Sequence, residues 1–457
     1  MYQTFTMKEK IKQISIMLIP ILITQLGMFS MVFFSTIMSG KYNPSDLAGV
    51  AIGSSIWNPV FIGLSGILLA VSPIAAQRFG EKKNHEVSSI LSHGIYLALA
   101  IAVIVIAVGA LILNPLLNAM DLDPRVHKTA HHYLIGLSLG IIPLFIFNVL
   151  RSFIYALGKT RMVMVILLMG LPVNIFLNYC LIFGNLGFPE LGGAGAGIAT
   201  SVTYWVIAGI TAFFIISKEP FSAYVSLEAF KNFSRAKFAE ILKIGVPMGM
   251  SAFFETSMFA VVTILISRFS VTTIAAYQSA LNIVSFLYMV PISISMAQTV
   301  LVGFEVGARR YRDAKAYSWL GIYLAAIIAT GTGILVVLFR DQVAALYSND
   351  AAVIALTASF LIYALFFQIA DAIQATAMAA LRGYKDVNPA FVMTLVSYWL
   401  ICLPTGYFLA HNTGLGAPGY WIGLTIGLLV ASIVLSARLI YIQKKKFIQT
   451  DQLAESL

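Results

Sequence analysis

Charge is what this chain has least of. Lys, Arg, Asp and Glu together make up 11% of its 457 residues, against 59% hydrophobic, and mean hydropathy is +0.89. So few charges cannot cover a soluble domain, so the chain reads as an all-α polytopic membrane protein. Cysteine is almost absent: Cys180 and Cys402 both fall inside apolar runs, which excludes a disulfide framework or a thiolate metal cluster. No Ser with His, paired His or Asp-rich metal motif falls at membrane depth, which argues against an enzyme. Gly158-Lys159-Thr160 is not the tail of a phosphate loop, because Phe153 stands where glycine is required and the site joins two apolar runs. No Gly-x-x-x-Asp-Arg-x-Gly follows the second run, which removes support for a major facilitator carrier.

What the chain has is apolar length. Twelve runs, near 13–38, 47–76, 88–113, 128–153, 162–184, 194–216, 238–267, 273–304, 315–339, 352–381, 389–410 and 418–442, are candidate spans. The net charge of +10 does not point to nucleic acid, because the basic residues alternate from loop to loop. With both termini inside, only Lys41, Arg125, Lys128, Arg268 and Arg340 fall on the outer face, while Arg382, Lys385 and the other loop cations fall inside. The start is basic but lacks a small-residue cleavage site, so the first run is expected to be a retained span.

A weak internal repeat keeps its order throughout. Pro20 falls on Pro247, Leu47-Ala48 on Ile274-Ala275, and Gly80-Glu81-Lys82-Lys83 on Gly307-Ala308-Arg309-Arg310. Two six-span lobes of equal orientation are therefore expected, at 1–217 and 238–457, joined by a hydrophilic linker at 218–237. Such lobes imply a pseudo-twofold axis along the membrane normal and a central cavity. A cavity between internal repeats requires no partner, so a monomer is expected.

Two acids stand apart. Glu255, in Phe253-Phe254-Glu255-Thr256, and Asp371, before Ala379-Ala380-Leu381-Arg382, sit near mid-depth of their runs. A central ion costs about 2.5–3.5 kcal/mol even on lenient insertion scales, so such residues face a bundle interior or a wet cavity and serve function. The repeat sets Glu255 on Met28, so the acids belong to the second half alone. Side chains three and four residues apart share a helix face. Glu255 thus shares one with Phe259, and Asp371 with Phe367, Gln368 and Gln374; the eighth run adds Gln278, Asn282, Ser285 and Tyr288. Carboxylate, amide and hydroxyl oxygens would suit a hard cation, or a proton, and Phe259, Tyr288 and Phe367 could offer ring faces to an organic cation. The competing reading is a structural hydrogen-bond network within the bundle. In the fifth run Asn174 and Asn178, beside Pro172, either line the cavity or satisfy carbonyls freed by the proline; Gln25 stands in the first run. Gly192, Gly193, Gly195 and Gly197 read as close helix packing.

Pro20 with Gln25, Pro172-Val173-Asn174 to Asn178-Tyr179 with its Leu-Ile-Phe-Gly exit, Phe253-Phe254-Glu255, and Asp371 before Leu381-Arg382-Gly383 together resemble the multidrug and toxic compound extrusion (MATE) transporters, in particular their NorM-like bacterial branch. The resemblance covers the whole chain. It implies a multi-pass protein of the bacterial plasma membrane that exports cationic drugs, driven by inward sodium or proton movement and needing no other cofactor. It carries cation binding to Glu255 and Asp371, and drug contact to Phe259 and Tyr288. The chain departs from the family's pattern at Ser35, where many members have an aspartate, and at Phe367, where some place a tyrosine. The nearest rival is a flippase for lipid or lipid-linked oligosaccharide, which would show several cationic side chains in the cavity where these spans hold acids.

Overall fold

In the computed structural model, residues 3–219, 221–225 and 228–455 are described; positions 220, 226 and 227 of the expected linker lie outside them. Among the described residues there are helices and no strands. Long apolar helices occur as α1 (Met7–Tyr42), α2 (Pro44–Gly80), α3 (Asn84–Asn118), the bent α4 (Pro124–Ser138 with Ile141–Ala156), α5 (Thr160–Phe183) and α6 (Gly193–Ser217). They continue as α7 (Arg235–Ile266), α8 (Val271–Gly307), α9 (Tyr311–Leu338), α10 (Ala351–Gly383), α11 (Val387–Asn412) and α12 (Pro418–Phe447). Each matches one expected span, so twelve are reached when α4 counts as a single crossing.

The bend in α4 is 50° and has a local cause. Pro143 has no N–H to donate to the carbonyl of Leu139, and Trp205 of α6 donates its indole N–H to that oxygen at 3.0 Å. Beside it, Ser201 Oγ donates to the carbonyl of Gly136 at 2.6 Å. Both freed carbonyls therefore find partners on one neighbouring helix, as a helix broken within a membrane requires.

The chain divides into two compact units, Ile19–Gly249 and Met250–Leu457, the latter joined by residues 3–18. The break lies inside α7 rather than in the hydrophilic stretch at 218–237. That stretch packs on α3: Ser92 Oγ donates to the carbonyl of Ala229 at 3.0 Å, and the backbone N–H of Ser234 donates to His93 Nε2 at 2.8 Å. In the first unit Arg78 pairs with Glu81, Glu86 and, from the start of α7, Glu240 at 3.4 Å. In the second, Lys10 at the start of α1 pairs with Asp313 at 2.8 Å, and Tyr317 donates its hydroxyl proton to Gln13 at 2.8 Å. The start of each half's first helix thus belongs to the other half's unit. The repeat aligns Arg78 with Glu305, whose partner is Arg310, so the charge is inverted at equivalent places.

Close helix contact rests on glycine. A side chain at Gly197 of α6 would run into the carbonyl of Tyr133 in α4, and one at Gly136 would come within 3.0 Å of the N–H of Ile198. In the second unit Gly423 of α12 meets Gly406 of α11 in the same way.

Candidate ion site in the second unit

The second unit gathers one acidic group from each of α7 and α10. Glu255 interacts electrostatically with Asp371, Tyr288 of α8, Tyr398 of α11 and Arg382 at the end of α10. Asp371 is 5% exposed. Its Oδ1, together with Gln374 Oε1, Arg382 Nε and the Tyr398 hydroxyl, is buried without a hydrogen-bond partner. A buried polar atom left so is costly, and such groups cluster where an ion or ligand is to be held.

Neighbouring contacts fix the frame. Trp399 Nε1 donates to the carbonyl of Phe254 at 3.2 Å, and the two rings meet edge to face, tying α11 to α7 one residue from Glu255. Ser432 Oγ of α12 donates to the carbonyl of Ala370 at 2.8 Å, one residue from Asp371. Around Tyr398 the helix widens into a π-turn over Val396–Cys402, with Leu403 N–H reaching back to the carbonyl of Tyr398. Pro404 explains it. Its ring would crowd the carbonyl of Leu400, and the extra residue in the turn relieves the clash while re-aiming Tyr398 inward.

The structure sorts the other expected site residues. Phe259 packs edge to face on Phe367 at 6.0 Å. Phe367 is 1% exposed and also meets Trp421 at 5.7 Å, so in this conformation it backs Phe259 instead of offering a free face. Gln368 donates to Thr332 Oγ1 of α9 at 3.3 Å, turned to another helix. The α8 stripe splits: Tyr288 joins the acids and Gln278 is half-buried, while Asn282 is exposed and donates back to the carbonyl of Gln278 at 2.9 Å. In the first unit Asn174 donates to Thr203 Oγ1 at 3.2 Å and Asn178 to Ser35 Oγ at 3.0 Å. These amides form a neutral network joining α1, α5 and α6. Gln25 is half-buried, with Oε1 unpartnered.

Arg382 and Tyr398 were not among the expected site residues. Arg382 counted as a loop cation in the charge pattern; it is instead half-buried in the field of Glu255. One signal was available: it lies eleven residues after Asp371, about three turns, and so on the same face. Among the described residues no three His, Cys, Asp or Glu side chains gather as a metal cluster. The site therefore offers two carboxylates, neutral oxygens and a resident cation.

A single family profile, MatE, matches the chain twice, over residues 20–180 and 247–408. The chain belongs to the MatE family. Its two matched stretches open at Pro20 and Pro247, the pair superposed by the internal repeat. Among curated MatE relatives, a probable multidrug resistance protein NorM of Oceanobacillus iheyensis is 50% identical, covering 97% of this chain and all of that protein. The protein of the same name from Bacillus subtilis is 49% identical over 97% of this chain and 98% of its own length. In fold, the chain matches an outward-facing multidrug resistance MATE family transporter with a TM-score of 0.88 at 22% identity, covering 95% of this chain and 96% of that one. A eukaryotic MATE transporter matches at 0.82 and 21% identity, over 96% and 97%. This MatE protein is a multi-pass membrane transporter and not an enzyme.

Proposed function

We propose that this MatE transporter, whose relatives are named multidrug resistance proteins, exports amphipathic organic cations across the bacterial plasma membrane in exchange for sodium or protons. In this reading it works as a monomer with both termini cytoplasmic. The observation that carries it is the Glu255–Asp371 pair, two carboxylates within electrostatic reach of one another inside an apolar unit with an oxygen of Asp371 unpartnered. Two like charges so placed are stable only when a cation or proton joins them. A driving ion entering from outside occupies the pair and favours the state that releases drug; its departure inward restores drug binding. Coupling requires that ion and drug prefer different states.

Arg382 adds a release term. Its guanidinium already partly neutralises Glu255, so an incoming cation meets repulsion as well as attraction and is held loosely enough to leave. Arg382→Gln should lower the half-saturating concentration of the driving ion by about tenfold, some 1.4 kcal/mol, and slow maximal turnover because release becomes harder. Initial rates of export at graded ion concentration measure both; an unchanged half-saturation with normal expression would remove Arg382 from the cycle.

The second reading, a flippase, is favoured by the finding that the interior holds cations as well as acids, Arg382 in the second unit and the 5% exposed Arg151 in the first. One experiment separates the two. Purified protein in liposomes is loaded with ethidium, and sodium and pH gradients are imposed in turn. Export driven by either gradient supports the antiporter and names its ion. Absence of gradient-driven export, with scrambling of a fluorescent lipid, would replace it with the flippase.

A further inference from the structure

Arg151 of α4 has no acidic partner within ion-pair distance among the described residues. A guanidinium cannot shed its charge, and a buried charge left without a counter-ion is strongly unfavourable. Its neighbours are all neutral. Nη2 donates to Asn148 Oδ1 at 2.8 Å, and Asn148 in turn donates to Ser65 Oγ of α2 at 3.4 Å. Nη1 reaches only the thioether of Met28 in α1 at 3.3 Å, a weak acceptor, and Nε has no partner. The Phe147 ring lies 5.9 Å away, and Tyr155 and Tyr204 lie within its electrostatic reach. Next to Met28, Gly27 is buried, yet a side-chain carbon built there would meet no atom within 4 Å. An adaptable methionine is thus what covers the under-satisfied side of this cation.

We propose that Arg151 forms an anion-recognition site for the carboxylate of an aromatic substrate, so that the first unit reads a negative group that the acid pair of the second cannot. One carboxylate neutralises the single charge, supplies acceptors for Nε and Nη1 as Met28 swings aside, and leaves the Asn148 bond intact. The rings of Phe147, Tyr155 and Tyr204 suit an aryl body. A doubly charged phosphomonoester would leave excess negative charge in the same pocket. The proposal rests on the transporter reading only in calling the ligand a substrate.

The test is binding of two rhodamines to the purified full-length protein by fluorescence anisotropy: the zwitterion with a free carboxylate, and its ethyl ester, which keeps the cation and the rings. Arg151→Gln should weaken the zwitterion at least tenfold and leave the ester unchanged, and Arg151→Lys should restore part of the loss. In the parent protein, benzoate should displace the zwitterion but not the ester, a result independent of whether any variant folds. Equal weakening of both dyes would make Arg151 a tie between helices, and no change in either, or indifference to benzoate, would overturn the site. Gradient-driven export of the ester by the parent protein continues if only the Arg151 site fails and is lost if the antiport reading fails, which keeps the two failures distinct.

Discussion

Glu255→Gln is expected to abolish ion-driven export while leaving the protein folded. Glutamine keeps the shape and an acceptor oxygen but removes the charge from a half-buried position, where losing one member of a close ionic set costs about 2–5 kcal/mol, or about one and a half to three and a half orders of magnitude in affinity for the driving ion. Asp371→Asn should do the same, because the two carboxylates act on one ion. The diagnostic is the double variant. Groups that work as a unit are non-additive, so Glu255→Gln with Asp371→Asn should be no worse than either alone. Equilibrium binding of a lipophilic cation should survive better than its gradient-driven transport, since the dye contacts proposed for Phe259 and Tyr288 would remain. The measurement is ethidium export from liposomes with each gradient, alongside dye binding in detergent. Normal export against a gradient by either single variant would remove the pair from the coupling step.

These acids stood out in the sequence because a carboxylate in the middle of an apolar run is costly, and that cost is itself the signal. Arg382 was hidden by the same logic. It stands where the run ends, and a cation there satisfies the charge asymmetry of loops whether it points outward or folds back along its helix toward Glu255. Tyr398 could not be read from spacing, because the π-turn ahead of Pro404 shifts the helical register by a residue and places on the inner face a side chain that a 3.6-residue period would place elsewhere. Phe367 and Asn282 show the converse. Both share a face with a site residue, but packing on Trp421 claims one and solvent or lipid exposure the other. The twelve helices were readable from hydropathy, whereas the unit boundary was not: a polar linker marks where a chain leaves the membrane, not where packing changes partners, and residues 235–249 pack with the first unit because Gly245 and Gly249 admit the backbone of α2 at Gly63 and Ile67.

Glycine also sets the largest structural effect expected. Gly197→Val should leave little folded protein. Helix association within a bilayer lacks a hydrophobic drive and depends on close backbone approach, so the α4–α6 crossing is held by contact and by the Ser201 hydroxyl on Gly136. The new Cβ would strike the Tyr133 carbonyl, an atom of the helix backbone that cannot turn away as a side-chain tip could. Overpacking ordinarily costs about 1–3 kcal/mol; here relief requires the helices to separate, and separation breaks the Ser201 bond, withdraws Trp205 from the Leu139 carbonyl and leaves the α4 bend without its donors. Gly197→Ala adds the same Cβ with less bulk and should give an intermediate loss, whereas Gly109→Ala, where a side chain would meet nothing within 4 Å, should behave as the parent. Yield of monodisperse protein and its melting temperature in detergent rank the three. If Gly197→Val matched the parent in both, the crossing would be soft enough to re-form, and the Ser201 and Trp205 bonds, not glycine contact, would be what holds it.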